Sequence, residues 1–147
     1  MKRVVAAIDG SEASNRVIDF AAEFSVKFGA GLTLIYVVEY NWPPDWAMAE
    51  YARPENNLRA MAEFAESVGR ECLKEAKARA IGDGAAEVSE DIRFGDPAGE
   101  ILKCCETSGA DAVVLASRGR GRLTGRLLGS VSQKIALHAP CTVIIVR

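Results

Sequence analysis

The sequence predicts an α/β fold: a single-domain, doubly wound open sheet of five parallel strands with helices on both faces. Short apolar runs and longer amphipathic stretches alternate along the chain in the order βαβαβαβαβ. The 147 residues, 49% hydrophobic and 26% charged, have the length and composition of one globular domain. We find no internal repeat and no second domain, so the domain is expected to cover residues 1–147.

The first elements are predicted from "RVVAAI" (3–8), an apolar run that ends at the polar turn Asp9-Gly10-Ser11. The helix expected next ends at Gly29, and "LTLIYVV" (32–38) is a second strand of the kind that is covered on both faces. The apolar face of the first helix is expected at Val17, Ile18, Ala21, Phe24 and Phe28.

Residues 40–57 interrupt the pattern with both tryptophans and three of the five prolines, which predicts a long connection. A long amphipathic helix follows and ends at Gly82-Asp83-Gly84, and residues 87–94 then alternate as in an edge strand. The apolar face of this helix is expected at Leu58, Met61, Ala65, Val68, Cys72 and Ala76, and that of the strand at Val88, Ile92 and Phe94.

The next helix is predicted by Asp96, a good N-cap, which precedes Pro97 at the first helical position. "DAVVLAS" (111–117) is a fourth strand, a last helix is expected at 130–138, and "CTVIIV" (141–146) is the fifth strand. The helix that begins at Pro97 is expected to bury Ala98, Ile101, Leu102 and Cys105.

Charge is unevenly distributed, although the net charge is only −2. All 20 acidic residues lie at or before Asp111, so residues 112–147 contain basic residues and no acid. A net acidic chain with one basic segment repels nucleic-acid phosphates over most of its surface. We therefore expect a site for a small anion and no nucleic-acid partner.

Two further features limit the class of protein. No apolar run approaches the roughly 20 residues that span a bilayer, and Asp9 comes too early for a signal peptide, so we expect a cytoplasmic protein with no membrane partner. The cysteines have no zinc-ligand spacing and are expected to be reduced and packed as small hydrophobic residues, and the single His138 is expected to have no chemical role. The cysteines are Cys72, Cys104, Cys105 and Cys141.

Ligands of open α/β sheets bind beyond the carboxyl ends of the strands, where the strand order reverses. Two strand ends carry suitable groups, "AIDGS" (7–11) after the first strand and "ASRG" (116–119) after the fourth. If these strands are neighbours, both segments line one crevice. Asp9 either turns the chain or, as we favour, accepts hydrogen bonds from a ribose or holds a metal ion.

The glycine- and arginine-rich stretch "LASRGRGRLTGRLLGS" (115–130) leads into the last helix. Its glycines either give flexibility or let backbone N–H groups approach a phosphate, and a helix that starts at Gly129-Ser130 also attracts phosphate. Ser130 either caps that helix or donates its hydroxyl to phosphate. The Walker A lysine and the third glycine of G-x-G-x-x-G are missing, and no base or nucleophile pair is visible, so no catalytic residue is expected.

These segments resemble the universal stress proteins of the UspA superfamily. Its ATP-binding branch carries G-x2-G-x9-G-[ST] after the fourth strand; here Gly119 and Gly129-Ser130 match, and Ala116 stands at the first glycine. "VVAAIDGSEAS", "LLGSVSQKI" and "HAPCTVIIV" are also similar to the family, and only residues 40–57 fall in its variable region. The resemblance implies a Rossmann-like sheet, similar to that of the adenine-nucleotide α-hydrolases, with strand order 3-2-1-4-5.

The resemblance also implies that the ligand is ATP, with Mg²⁺ or Mn²⁺ held mainly by its phosphates. Adenine would pack near Val37, and the ribose would lie between Asp9 and Ala116. A methyl group at Ala116 either crowds the ribose or is tolerated where φ is negative. The family's site corresponds here to Ala7, Ile8, Asp9, Ser11, Val37, Ala116, Arg118, Gly119, Gly129, Ser130, Val131 and Ser132.

The family further implies a homodimer in which residues 141–147 pair across a two-fold axis, which would protect an apolar edge strand from aggregation.

The expected function is that of an ATP-binding stress or regulatory protein that acts through nucleotide-dependent interactions, with at most slow ATP hydrolysis or autophosphorylation. The alternative is an interaction module of the same fold that binds a protein partner and no nucleotide. An adenylating enzyme is disfavoured because the S-G-G-x-D-S loop is missing after the first strand.

Overall fold

The computed structural model describes residues 1–39, 56–119 and 128–147. Most of the predicted connection 40–57 and the side chains of Arg120, Arg122 and Arg126 lie outside these ranges. The elements of the described residues are β1 (Arg3–Ile8), α1 (Glu12–Phe28), β2 (Gly31–Val38), α2 (Asn56–Gly82), β3 (Val88–Phe94), α3 (Pro97–Ser108), β4 (Ala112–Ala116), α4 (Ser130–His138) and β5 (Thr142–Val146). α2 therefore begins two residues inside the predicted connection.

The five strands form one parallel sheet in the order β3-β2-β1-β4-β5, which confirms the predicted fold class and strand order. β1 pairs with β2 along its whole length, up to Ile8 opposite Tyr36, and with β4 on its other side. The chain moves outward from β1 to β2 and β3 and then returns to β4. The order thus reverses between β1 and β4, whose carboxyl ends border one crevice.

Two apolar clusters cover the two faces of the sheet. Val4, Ala6 and Ile8 of β1 pack in the cluster that contains the buried residues of α1 and α2. Val5 packs on the opposite face, in the cluster that contains those of α3 and α4. Successive strand residues point to opposite faces, so β1 contributes side chains to both clusters.

The predicted helix ends at Gly29 and at Asp96 are confirmed. Gly29 has the left-handed φ of 59° that favours glycine after a helix. The carboxylate of Asp96 accepts a hydrogen bond from the Gly99 N–H at 2.9 Å, and Pro97 occupies the first turn of α3. These caps fix where the two helices begin and end.

Some predicted apolar positions are not buried. Phe28 is 54% exposed at the end of α1, where its ring contacts that of Phe24 at a tilt, with centroids 4.4 Å apart. Phe94 is 39% exposed because β3 is an edge strand and this residue ends it. The sequence also predicts an apolar face of the last helix at Val131, Ile135 and Ala136, but Ala136 is exposed on the outer side of α4. The helical and strand periods were predicted correctly here, but not the extent to which neighbours cover each face.

The four cysteines are free thiols, as predicted, and Cys104 and Cys105 are buried. Burial raises the pKa of Cys104 to about 11 and that of Cys105 to about 12. Both thiols are therefore protonated at neutral pH and pack as small hydrophobic groups.

Candidate functional site

A cavity of about 650 Å³ lies at the carboxyl ends of β1, β2 and β4, within the usual size range of small-molecule sites. It brings together eleven of the twelve predicted site residues, from segments that are far apart in the sequence. The eleven are Ala7, Ile8, Asp9, Val37, Ala116, Arg118, Gly119, Gly129, Ser130, Val131 and Ser132.

Ser11 is the predicted site residue that does not line the cavity. It is the N-cap residue of α1, and its N–H donates to Asp9 Oδ1 at 2.9 Å. Its Oγ is buried and has no hydrogen-bond partner among the described residues. Ser11 therefore contributes to the site through its backbone, by holding Asp9.

The carboxylate of Asp9 is fixed by the start of α1. Besides the Ser11 N–H, Oδ1 accepts a hydrogen bond from Ser14 Oγ at 2.7 Å, and the same Ser14 Oγ accepts one from the Asp9 N–H at 3.0 Å. Gly10 has a φ of 75°, so the turn that allows these contacts favours glycine. Asp9 thus both turns the chain and faces the cavity, so the two interpretations of this residue are compatible.

Gly119 touches the other oxygen of that carboxylate. A Cβ atom built on Gly119 would lie 2.5 Å from Asp9 Oδ2, closer than a real contact allows. Its φ is not in the left-handed region, so the close approach to Asp9, rather than backbone conformation, is what favours glycine here. This contact joins the ends of β1 and β4.

The end of β4 and the start of α4 are joined by hydrogen bonds. The Gly129 N–H donates to Ser117 O at 2.8 Å, and Ser132 Oγ lies 3.0 Å from the same carbonyl and 2.9 Å from Gly129 O. Ser132 is 3% exposed. Its hydroxyl therefore donates within the protein and fixes the start of α4.

The N-terminus of α4 presents unpaired donors to the cavity. Its first intrahelical bond runs from the Gln133 N–H to Gly129 O at 2.9 Å, so the N–H groups of Ser130, Val131 and Ser132 have no intrahelical partner. The N-cap residue is Gly129 and not Ser130, so no side chain caps the start of α4. The capping role considered for Ser130 is therefore wrong, because this residue is already the first of the helix.

Ala116 does not distort the end of β4. No residue other than glycine has a positive φ in the described ranges, so Ala116 adopts a conformation that suits any side chain. Its methyl group packs against the cluster that contains α1 and α2. The backbone therefore needs no glycine at this position.

The remaining lining residues were not predicted. Most of them are apolar and come from strands, from the starts of helices and from the middle of α2, and three carry polar atoms, Ser14, Tyr36 and Glu39. The unpredicted lining residues are Ser14, Ile35, Tyr36, Val38, Glu39, Ala65, Val68, Pro97, Ile101, Leu115 and Leu128. Of these residues, only Pro97 could have been placed at the cavity from the sequence. The N-cap at Asp96 marks the start of a helix, and a helix that follows a parallel strand begins at the carboxyl edge of the sheet.

A model of the universal stress protein family matches residues 1–147. The chain belongs to the universal stress protein family. A universal stress protein from Methanocaldococcus jannaschii is 30% identical over 146 residues, which cover 99% of this chain and 82% of that protein. The universal stress protein YxiE from Bacillus subtilis is 29% identical, with 99% of this chain and 98% of that protein covered.

Solved structures of universal stress proteins share the fold. One that was solved in complex with cAMP has a TM-score of 0.70 and 25% identity, and the match covers 99% of this chain and 96% of that one. Another, from Archaeoglobus fulgidus in complex with dAMP, has a TM-score of 0.67 and 23% identity, with coverage of 100% and 98%. Related proteins of this family thus bind nucleotides.

None of the helices in the described residues is both long and apolar enough to cross a membrane. The described residues also contain no group of three or more His, Cys, Asp or Glu side chains placed to hold a metal ion.

Proposed function

We propose that this universal stress protein binds ATP in the cavity between the ends of β1 and β4, and that it acts as a regulatory protein through nucleotide-dependent interactions. One observation carries the proposal: the cavity has free helix N–H groups on one side and the fixed carboxylate of Asp9 on the other. The helix N–H groups suit a phosphate, and the Asp9 carboxylate suits a ribose hydroxyl.

The phosphates would lie at the start of α4. Three N–H groups without an intrahelical partner and the positive end of the helix dipole favour an anion there, and Arg118, an exposed residue that lines the same cavity, adds a positive charge. Mg²⁺ or Mn²⁺ would be held mainly by the phosphates, because the described residues bring no cluster of carboxylates to this end. The residues present therefore fit a triphosphate with its metal ion.

Adenine would contact the end of β2. The Gly31 N–H donates toward β1 and the Leu32 N–H toward β3, and this alternation turns the Val37 carbonyl and the Glu39 N–H to the β1 side. β1 has already ended at Ile8, so both groups face the crevice. An acceptor beside a donor matches the amino group and N1 of adenine and is reversed for guanine.

The comparisons support a nucleotide ligand for this family. The relative of 25% identity that was solved with cAMP has the same fold. Both cAMP and ATP contain adenine, a ribose and phosphate, so the geometry proposed here for base and sugar applies to either.

Calorimetric titration with Mg²⁺-ATP tests the proposal, with Gly129→Glu as the disabling variant. A carboxylate at Gly129 would stand at the start of α4 and repel phosphate, so we expect binding by the natural chain and at least a tenfold loss in the variant. Gly82→Glu is the matched control, because a Cβ there meets nothing within 4 Å and Gly82 is not a lining residue. Absence of heat from the natural chain would overturn the ATP proposal and favour the module that binds only proteins.

We further propose a homodimer through residues 141–147. In the described part of the chain, β5 is at the edge of the sheet and pairs only with β4, and it leaves Val143, Ile144, Ile145 and Val146 partly exposed. An apolar edge of this kind favours pairing with another strand. Light scattering of the natural chain should give twice the mass of one chain. Ile145→Lys places a charge on the edge strand and should shift the mass to that of a monomer. A monomeric natural chain would contradict the proposal.

A further inference from the structure

The start of α1 holds Asp9 more firmly than a chain turn needs. The Ser11 N–H already closes the turn by donating to Asp9 Oδ1 at 2.9 Å. Ser14 then adds a second bond to the same oxygen at 2.7 Å and accepts from the Asp9 N–H at 3.0 Å. One hydroxyl therefore ties the carboxylate to its own backbone.

This double contact fixes the direction of the second carboxylate oxygen. With Oδ1 held toward α1, Oδ2 points across the crevice to Gly119, where a Cβ atom would lie 2.5 Å away. Ser14 is 4% exposed and lines the cavity beside Asp9, so the whole arrangement belongs to the site. A carboxylate oxygen accepts more than one hydrogen bond, so Oδ2 has capacity for a ligand whatever its protein contacts.

We propose that Ser14 is a positioning residue that orients Asp9 Oδ2 toward the sugar hydroxyls of the bound nucleotide, so that the site selects a nucleotide with an intact ribose over its deoxy analogues. The inference rests on the proposed ATP function and adds to it a residue and a selectivity. A sugar hydroxyl that meets a pre-oriented acceptor gains a hydrogen bond at little cost in ordering. An analogue without that hydroxyl leaves the carboxylate unsatisfied by the ligand.

The test compares the affinities of ATP, 2′-deoxyATP and 3′-deoxyATP by calorimetry. The natural chain should bind at least one deoxy analogue about tenfold more weakly than ATP, the effect of one hydrogen bond of ordinary strength. In Ser14→Ala the bond from Ser14 to Oδ1 is lost and that from the Ser11 N–H remains, so the carboxylate is less well fixed and the ratio of ATP affinity to deoxy-analogue affinity should fall toward one. Ser14→Thr keeps the hydroxyl and should restore the ratio.

Ser25→Ala is the matched control. Ser25 is also buried on α1, at 2% exposure, but its Oγ donates to Ala22 O at 2.8 Å and makes no contact with Asp9. This variant should keep the natural ratio, even where its melting temperature falls as much as that of Ser14→Ala. The ratio thus separates positioning from a loss of stability.

Three results would overturn the inference: equal affinity of the natural chain for all three nucleotides, an unchanged ratio in Ser14→Ala, or a lost ratio in Ser25→Ala. A natural chain that binds none of the nucleotides would instead contradict the proposed ATP function itself. The two failures are therefore distinguishable in the same titration.

Discussion

The two strand ends that form the cavity are built in opposite ways. The end of β1 presents a side chain, the carboxylate of Asp9, which Ser11 and Ser14 hold in place. The segment after β4 presents backbone instead, in Gly119, Gly129 and the free N–H groups of α4. A carboxylate accepts hydrogen bonds from hydroxyls and repels phosphate, whereas a helix N-terminus attracts it. This difference would orient a nucleotide, with its sugar toward β1 and its phosphates toward α4.

The two glycines of the second segment also differ from each other. Gly119 is required by contact with Asp9, because a Cβ there would lie 2.5 Å from Oδ2. A Cβ on Gly129 would meet nothing closer than Ser117 O at 3.5 Å, and its φ of −72° suits any residue. The protein itself therefore tolerates a side chain at Gly129, and only a ligand would need glycine there.

Gly119→Ala should lower both the folding stability and the ATP affinity more than the other substitutions, because it breaks the contact between the two strand ends. The added methyl group must displace a carboxylate that is held by two hydrogen bonds, which costs about 1–3 kcal/mol of folding free energy. Since the displaced groups belong to the site, we expect ATP affinity to fall roughly 10- to 100-fold. Denaturant unfolding and calorimetry measure the two effects.

Gly129→Ala is the companion to that variant. It should lower the free energy of unfolding by less than about 1 kcal/mol, the ordinary cost of alanine at an N-cap position. If the two alanine variants unfold with the same free energy, the close contact between Gly119 and Asp9 does not constrain the folded protein.

Ala116→Gly should have a smaller effect. Because Ala116 has no positive φ and its methyl group packs against the apolar cluster of α1 and α2, glycine should destabilise the protein by about 0.5–1 kcal/mol. It should change ATP affinity by less than about threefold, since the backbone conformation remains the same. A gain of tenfold or more, measured by calorimetry, would mean that the methyl group crowds the ligand.

Asp111→Asn should have the smallest effect on the site: it should leave ATP affinity unchanged and alter only the pH dependence of stability. Asp111 lies at the amino end of the sheet, far from the crevice, and accepts from the backbone N–H groups of Lys2 and Arg3 at 2.5 and 3.0 Å. These bonds lower its pKa below the ordinary value of 3.8. The stability that the ionised group contributes is therefore present above that value and lost as the pH falls below it.

Thermal melts between pH 7 and pH 3 check this last prediction. The melting temperatures of the natural chain and of Asp111→Asn should differ at pH 7 and approach each other in acid. A constant difference across this range would show that ionisation of Asp111 contributes nothing.

Much of the site could be predicted from the sequence because its parts are strand ends and glycines. Polar residues directly after the apolar runs at 3–8 and 111–117 identify two carboxyl ends, and parallel pairing brings them together. The resemblance to the family's glycine motif identified Gly119 and Gly129, and the structure joins Gly129 to Ser117 by a backbone hydrogen bond.

The rest depended on contacts that the pattern of apolar and polar residues does not reveal. In the sequence, nothing distinguishes Ser14 from other residues in the first turn of a helix. Its contact with Asp9 exists because the turn at Gly10 brings Asp9 back to it. Gly69 stands inside α2 because a Cβ there would lie 2.7 Å from the ring of Tyr36, a packing contact that helical periodicity does not reveal. Likewise, exposure of Phe28 depends on which neighbours cover the end of α1.

The most direct test of the central claim is a backbone amide NMR titration of the isotope-labelled chain with Mg²⁺-ATP. If ATP binds as proposed, the largest shifts will fall on the amides of Ser130, Val131, Ser132 and Glu39, with smaller ones at Gly119. Shifts that cluster away from the ends of β1, β2 and β4, or no shifts at all, would contradict the proposed site.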